Sequence, residues 1–325
     1  MSLFGQDKAV AAFTAARESG ALHHAWLLTG PRGVGKATFA NMAALRLLAD
    51  AAGPRVERPG IETPPDHPTA RLFAARSHPD FRRLEREPND KGDLRRNITI
   101  AQVRKLAELF AVAPSMSNWR AVVIDSVDDL EASAANALLK MLEEPPANCI
   151  FFLVSHAPGK LLPTIRSRCR RLDLAALDDA AMTSALREAL PAANEEERAR
   201  LVPLAGGSVS RAIAFAELEL APLEEDAAAI MRDGDPRNVR RSKLASALAL
   251  KAAAPRYAAF LELAPALIAR EARLREGPAR ERALEAYARA RETAAIAPRL
   301  SLDPAATTFQ MGNILASVAG NAGDG

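Results

Sequence analysis

The sequence predicts an α/β fold built on a parallel sheet, followed by regions that are entirely helical. Three observations lead to this prediction. A short apolar strand passes through a glycine-rich loop into a helix, which is the start of a phosphate-binding α/β unit. Apolar strands then alternate with helices through residue 173, the order expected of a parallel sheet covered on both faces. After Leu174 the strand signals stop, and helical periodicity continues along the rest of the chain.

The first region opens with a predicted helix over residues 8–19, a strand over 25–28 and a second helix over 36–48. Residues 53–68 are rich in proline and charge, so they are expected to form an exposed loop. A weaker strand candidate follows at 81–84.

A capping signal marks the next helix. Thr99 is followed three residues later by Gln102, a pattern that predicts a capping box and a helix from there to about residue 113. The apolar run 120–125 predicts a strand that ends in an acidic residue.

The later elements of this region are also locally encoded. A helix over 131–143 is ended by two prolines, and the wholly apolar run 149–155 suits a central parallel strand. Pro163 fits the first turn of a short helix. Three more helices are predicted from the periodicity, over 178–190, 195–204 and 208–218. The acidic stretch 224–235 is interpreted as a boundary region, and amphipathic helix is expected from about residue 237.

Composition narrows the class of protein. The 325 residues carry 43 Lys and Arg against 40 Asp and Glu, a net charge of +3 that demands no basic face, so any DNA contact should be local. Two cysteines without CxxC spacing exclude a disulfide scaffold and a four-cysteine zinc site. Charged residues near the start and no apolar run of 18 residues predict a cytoplasmic protein without membrane spans.

The loop GPRGVGK, residues 30–36, has the spacing of a phosphate-binding loop. Its glycines let backbone amides converge on a phosphate, and Lys36 adds a positive charge at the start of a helix. The following position, which holds a magnesium-binding hydroxyl in the full pattern, is Ala37. Thr38 lies about 100° further round the helix and is not expected to replace it. The nucleotide-binding candidates in this segment are Gly30, Arg32, Gly33, Gly35, Lys36 and Thr38.

The strand that ends in Asp125 also lacks a group that ATP hydrolysis requires. Asp125 can hold magnesium through water, but the next residue is Ser126, where an active ATPase of this type usually has a glutamate base. Asp128 and Asp129 follow, so a relocated acid is the alternative. With two catalytic positions changed, we expect no useful ATPase activity from this chain alone.

Several longer runs carry a family resemblance. These are ALHHAWLLTGPRGVGKAT, HPDFRRLE, ANALLKMLEEPP, FFLVSHAPGKLLPTIRSRC and GGSVSRAI, which together cover roughly the first 220 residues in order. They resemble the bacterial members of the clamp-loader branch of the AAA+ ATPases. The resemblance implies an AAA+ P-loop domain over 1–173, a small helical lid over 174–222 and an all-α C-terminal collar, which mediates oligomerisation, over 223–325.

The resemblance also implies roles for individual residues. Arg168, within the run Ser-Arg-Cys, matches an arginine finger that reaches ATP on a neighbouring subunit in trans, and a guanidinium suits that task because its charge and donors are fixed. Ser155 matches a first sensor and Arg211 a second sensor. Each also has a plain alternative as a solvated arginine or an ordinary serine at a strand end.

The implied function is that of a noncatalytic, stator-like subunit of the DNA polymerase III clamp loader, within a nucleotidyltransferase holoenzyme that replicates DNA. Its partners would be gamma/tau and delta subunits and, through the complex, the sliding clamp and primer-template DNA. The alternatives are an active gamma/tau-like motor subunit, which would favour Ser or Thr at position 37 and Glu at 126, and an unrelated P-loop kinase.

Cofactor and DNA contacts are expected to be limited. No cofactor is required, although ATP or ADP could bind weakly without hydrolysis. No zinc or other metal is expected, because residues 53–77 contain no cysteine where many clamp-loader subunits carry a zinc module. Helix N-termini and nearby basic side chains can bind DNA phosphates without contacting the nucleobases, so they do not recognise sequence. The DNA-binding candidates are Thr99, Arg104, Lys105 and Lys160.

Overall fold

The computed structural model describes residues 2–319, so Met1 and the last six residues of the expected collar, 320–325, lie outside the described part. The chain divides into two compact units, residues 1–181 and 182–325. Each unit is described by itself below. The three-domain division expected from the sequence stays a prediction.

The first unit is built on one five-stranded sheet in the order β2-β3-β4-β1-β5, in which all neighbouring strands are parallel. The strands are β1 Ala25–Thr29, β2 Phe81–Glu85, β3 Arg120–Asp125, β4 Cys149–Val154 and β5 Arg170–Asp173. The helices of this unit are α1 Asp7–Glu18, α2 Lys36–Ala52, α3 Pro68–Ala74, α4 Ile100–Ala111, α5 Ala132–Glu143 and α6 Pro163–Ser167.

The central strands are apolar because helices cover both faces of the sheet. Every residue of β1 and β4 is buried, as a parallel strand between two helical layers requires. On one face the rings of Phe13 and Trp26 meet edge to face, with centroids 5.2 Å apart, and Phe152 joins them. On the other face Leu106 and Leu138 pack into the core.

The strand register places the candidate site at one edge of the sheet. Asp125 at the end of β3 lies opposite Val154 at the end of β4, and Leu28 near the end of β1 also lies opposite Val154. Parallel strands bring their carboxyl ends to the same edge. The loops after β1, β3 and β4 therefore meet there, and they contain Lys36, Ser126 and Ser155.

Two elements of the first unit were not predicted from the sequence. β5 contains two arginines and one buried residue, so it has no apolar run of its own. It is a strand because it pairs with β1 through Leu28 and Leu172. Helix α3 lies just beyond the segment expected to be an exposed loop, and His67 caps it by accepting a hydrogen bond from the Thr69 amide.

The segment from residue 53 to α3 is also less exposed than its composition predicts. Val56, Ile61 and His67 are buried. Arg46 in α2 is buried as well and donates hydrogen bonds to the carbonyl oxygens of Val56 (2.7 Å) and Glu62 (2.9 Å). A buried arginine in the preceding helix thus supplies the donors that hold a proline-rich segment in place.

The second unit is helical throughout its described residues, 182–319. Its elements are the rest of α7 Asp179–Ala189, then α8 Glu195–Ala205, α9 Val209–Glu217, α10 Ala221–Asp233, α11 Val239–Leu248, α12 Ala254–Leu274, α13 Gly277–Leu300 and α14 Pro304–Ala316. One core joins Phe215 of α9, Ile230 of α10, Phe260 of α12 and Met311 of α14.

Helix α10 covers most of the acidic stretch interpreted from the sequence as a boundary region. Its acidic run, residues 224–226, lies between Leu223 and Ala227, and these two residues and Ile230 are buried in the core of the second unit. No helix within residues 2–319 combines the length and apolar character needed to cross a bilayer.

Candidate functional site

The glycine-rich loop joins β1 to α2 in a conformation that only glycine adopts freely. Gly30 has φ of 137°, and a Cβ there would lie 2.1 Å from the Leu174 carbonyl oxygen. Gly33 and Gly35 also have positive φ values, 74° and 99°, and Gly35 is the N-cap of α2. The loop therefore leaves the first amides of α2 pointing toward the space that a phosphate would fill.

A buried amide side chain fixes the loop from outside. Gln6 donates hydrogen bonds to the carbonyl oxygens of Val34 (3.1 Å) and Ala175 (2.8 Å), and it accepts one from the Ala175 amide (3.2 Å). Gln6 lies six positions from the start of the chain and 28 positions before Val34. Because no local pattern links these positions, Gln6 was absent from the sequence-based candidates.

Lys36 is folded back onto its own loop. Only 3% of the residue is exposed, and its ammonium donates to the carbonyl oxygens of Gly30 (2.7 Å) and Pro31. Burial lowers the pKa of Lys36 to about 8, although the nearby carboxylates of Asp128 and Asp125 act in the opposite direction. The neighbouring Arg32 is exposed at the surface of the loop and also lowers this pKa.

The magnesium-binding groups of an active site are changed or already paired. Position 37 offers only a methyl group, and Thr38 is half-buried in the first turn of α2. Asp125 accepts a hydrogen bond from Arg83 of β2 (2.9 Å), which also pairs with Glu85 (2.9 Å). Asp125 therefore already has a cationic partner in this structure.

Position 126, where an active ATPase usually has a glutamate base, holds a serine that is already hydrogen-bonded. Ser126 is buried, and its hydroxyl donates to Asp129 (3.1 Å). Asp128 accepts from the Ser155 hydroxyl (2.9 Å) and from the His156 amide (2.5 Å). Both nearby carboxylates thus stabilise the ends of β3 and β4 rather than standing free as a relocated base.

The sensor candidate and its neighbour have different environments. Ser155 is fully buried and its hydroxyl is committed to Asp128. His156, which the sequence did not single out, is half-buried with no hydrogen-bond partner for Nδ1 among the described residues. Burial lowers the pKa of His156, and the charges of Lys36 and Arg32 lower it further, which places the imidazole in the field of the phosphate loop. The sensor role of Ser155 stays a prediction, and the environment of His156 was not apparent from the sequence.

Arg168 lies at the C-terminal end of α6, as its C-cap residue. Its guanidinium pairs with Glu143 (2.8 Å) and donates to the Thr164 carbonyl oxygen (3.0 Å). The next two arginines differ from it: Arg170 lies over the Trp26 ring, 5.0 Å from its centroid, and Arg171 pairs with Asp173.

Arg211 belongs to the second unit. The Ser208 hydroxyl caps α9 by accepting from the Arg211 amide (3.2 Å). The Arg211 guanidinium pairs with Glu262 (2.9 Å) and donates to the Ala205 carbonyl oxygen (3.1 Å). Within its own unit, Arg211 joins α8, α9 and α12.

The first amides of α4, proposed from the sequence as a phosphate contact, already have acceptors. Thr99 forms the expected capping box with Gln102, and the Ile100 amide donates to the Glu131 carboxylate (2.7 Å). This hydrogen bond is the main reason that the pKa of Glu131 is lowered. A carboxylate at this terminus opposes the binding of a second anion there. The other two DNA-binding candidates of α4, Arg104 and Lys105, are exposed, and their role stays a prediction.

Lys160 is exposed on the turn between β4 and α6. It follows Gly159, as the sequence indicated, and lies on the first unit. Because Lys160 is exposed, it can contact a DNA phosphate. A phosphate contact of this kind carries no information about the DNA sequence.

The residues at this site can be compared with the groups that a nucleotide and its magnesium ion require. The loop glycines, the start of α2 and Lys36 suit a phosphate group. The metal position does not fit, because Ala37 has no oxygen ligand and Asp125 is paired with Arg83. The loop thus offers groups that suit a phosphate, while the positions that bind magnesium and activate water in the full pattern hold Ala37 and Ser126.

Comparisons with a family model and with known proteins point to the same family. Residues 5–178 match the family described as DNA polymerase III, delta subunit. The chain is 36% identical over 188 residues to DNA polymerase III subunit delta prime of Pseudomonas aeruginosa, across 57% of this chain and 53% of that protein. It is 32% identical over 164 residues to subunit gamma/tau of Mycobacterium bovis, across 50% of this chain and 26% of that protein.

The chain thus matches about half the length of the delta prime relative and about a quarter of the gamma/tau relative. Among solved structures, a DNA polymerase III gamma subunit-related protein of Thermotoga maritima aligns with a TM-score of 0.43 and 16% identity. That alignment covers 90% of this chain and 94% of the other.

Proposed function

Because the chain belongs to the DNA polymerase III delta subunit family, we propose that it is a noncatalytic, delta prime-like subunit of a clamp loader. In this role it assembles in the cytoplasm with gamma/tau and delta subunits and helps to load the sliding clamp onto primed DNA. It hydrolyses no ATP itself. It supplies Arg168 to the ATP site of a neighbouring subunit.

The observation that carries the proposal is the state of the metal position. Asp125 is paired with Arg83 at 2.9 Å, and the adjacent helix offers Ala37 instead of a hydroxyl. Ser126 cannot act as a carboxylate base. The phosphate loop is nevertheless kept in a glycine-dependent conformation, which supports weak binding of ATP or ADP without turnover.

The finger role of Arg168 is supported by its chemistry and location. An arginine finger must reach a neighbour's phosphates, so it has to lie at a surface and stay charged. Arg168 has a third of its side chain exposed and follows a helix that is anchored by the buried Ile165. Its guanidinium forms an ion pair with the Glu143 carboxylate and donates to the Thr164 carbonyl oxygen and, at 3.5 Å, to the Ser167 hydroxyl. A guanidinium has five N–H donors, so further donors remain for a phosphate.

A motor subunit is the alternative function, since the chain also resembles gamma/tau proteins at 32% identity. The motor role requires a metal site and a base in this chain. The purified chain separates the two functions: we expect ATP hydrolysis at the background rate, with no stimulation by primed DNA. Turnover that disappears in Lys36→Ala would establish the motor role instead.

The finger role is tested in the reconstituted clamp loader. Arg168→Ala should leave assembly intact, while clamp loading falls about tenfold. This is less than the 10³–10⁵ that fingers contribute in GTPases, because only one of several ATP sites loses its finger. Arg171→Ala is the matched control, since Arg171 is exposed and pairs only with Asp173 among the described residues. Equal loading by both variants would remove the finger role.

A further inference from the structure

Glu143 occupies a position that local helix energetics disfavour. It is the last residue of α5, where the helix dipole presents its negative end. A carboxylate there is repelled by the unpaired carbonyl groups of the final turn, and a second acid, Glu144, follows directly. The helix cannot continue to relieve this, because Pro145 and Pro146 come next.

The compensating charge comes from another helix. The Glu143 carboxylate lies 2.8 Å from the guanidinium of Arg168, which is 25 positions further along the chain. The same guanidinium donates to the Thr164 carbonyl oxygen (3.0 Å), so it is held from two sides. By contrast, Glu144, which is also exposed to solvent, forms no ion pair among the described residues.

Both members of the pair are fixed to the same core through their neighbours. Leu142 precedes Glu143 and is almost fully buried, and Ile165 of α6 is buried in the same cluster. Cys169, directly after Arg168, packs against that cluster as well. The backbones on each side of the ion pair are therefore rigid, and the long arginine side chain is the part that would otherwise be mobile.

We infer that Glu143 is a positioning residue for Arg168, an inference that rests on the finger role proposed above. An unrestrained arginine side chain loses substantial rotamer freedom when it docks on a phosphate. The contact with Glu143, together with the Thr164 carbonyl, restricts that freedom before the neighbouring subunit arrives. Glu143 itself touches no nucleotide.

The inference is tested in the reconstituted clamp loader by steady-state ATP hydrolysis in the presence of clamp and primed DNA. Glu143→Ala should lower kcat about fivefold and leave KM for ATP unchanged, because the finger acts on the reaction and not on nucleotide capture. Glu143→Gln keeps an oxygen acceptor and should recover part of the loss. Glu144→Gln is the matched control and should behave as the wild type.

A double variant decides whether Glu143 acts through Arg168. If it does, Glu143→Ala combined with Arg168→Ala should be no slower than Arg168→Ala alone. Additive losses, or a Glu143→Ala enzyme with normal kcat beside a defective Arg168→Ala enzyme, would overturn the positioning role while leaving the finger intact. A normal Arg168→Ala enzyme would instead overturn the proposed finger. Thermal unfolding of each purified variant shows whether the fold is retained.

Discussion

Arg46 should be the residue whose loss most weakens the segment between α2 and α3. Replacing it with methionine keeps the aliphatic stem and removes the guanidinium. The guanidinium contacts three acceptors: the Asp50 carboxylate of its own helix at 2.9 Å, and the carbonyl oxygens of Glu62 and Val56 in the segment that follows. With only 4% of Arg46 exposed, water cannot readily replace it.

The magnitude follows from these three hydrogen bonds. Each hydrogen bond to a charged group contributes roughly 1.5–3 kcal/mol, but the three share one side chain and are not additive. Removing one partner of a buried ion pair costs about 3–5 kcal/mol. Asp50 keeps a second, longer contact with Arg17 at 3.7 Å, so the middle of that range applies. We expect Arg46→Met to lose about 4 kcal/mol, which for a unit of this size is about 8–16 °C in Tm.

Differential scanning calorimetry of the full chain measures this loss, and limited proteolysis shows whether the segment opens. Arg55→Met is the control, because Arg55 lies exposed in the same segment and should change Tm by less than about 2 °C. Cleavage should move into residues 53–66 for the Arg46 variant alone. If the two variants melt together and resist protease equally, the three contacts of Arg46 do not hold the segment.

Three other substitutions test the site and its supports. Burial lowers the pKa of Lys36 to about 8 in the folded protein, whereas a lysine in an unfolded chain has a pKa of about 10.4, so the folded state binds fewer protons between these values. Relative to Lys36→Met, the stability of the wild type should therefore rise by about 2 kcal/mol from pH 7 to pH 10 in urea titrations. A flat difference would show that the ammonium is not buried. Gly30→Ala should lower the free energy of unfolding by more than about 3 kcal/mol, because the added Cβ would overlap the Leu174 carbonyl oxygen. Gly92→Ala is the control: Gly92 also has a positive φ, but its Cβ would meet open space, so the loss should be about 1–2 kcal/mol. Equal costs would contradict the packing. Asp80→Asn should lower the free energy of unfolding by about 2–4 kcal/mol. The buried carboxylate accepts hydrogen bonds from two backbone amides, and the side-chain NH2 of asparagine would face one of these donors without accepting from it. An unchanged unfolding curve in denaturant would refute this prediction.

Local signals were sufficient for most of the first unit. β4 is wholly apolar and was predicted from that run, and α4 begins directly after its N-cap Thr99 because both halves of the capping box lie within four residues. The short helix α6 begins at Pro163 for the same kind of reason. In each case the residues that determine the element are neighbours in sequence.

Elements that depend on distant partners were missed or misread. β5 reads as a charged segment, and it is a strand only because its backbone pairs with β1. Residues 53–68 read as an exposed loop because they are rich in proline and charge. Their order depends on donors supplied by Arg46, which belongs to α2.

For the candidate site, the sequence by itself determined which chemical groups are present. It shows a phosphate loop with Lys36, no hydroxyl at Ala37 and no carboxylate at Ser126, and these identities are fixed whatever the fold does. Only the tertiary structure decided how the remaining groups are paired. Arg83 meets Asp125 because β2 and β3 are adjacent, and Glu143 meets Arg168 because α5 and α6 share a core. Ion pairs and hydrogen bonds form over about 3 Å, and such distances between residues 25 or 42 positions apart are set by the packing of whole elements, which no local pattern encodes.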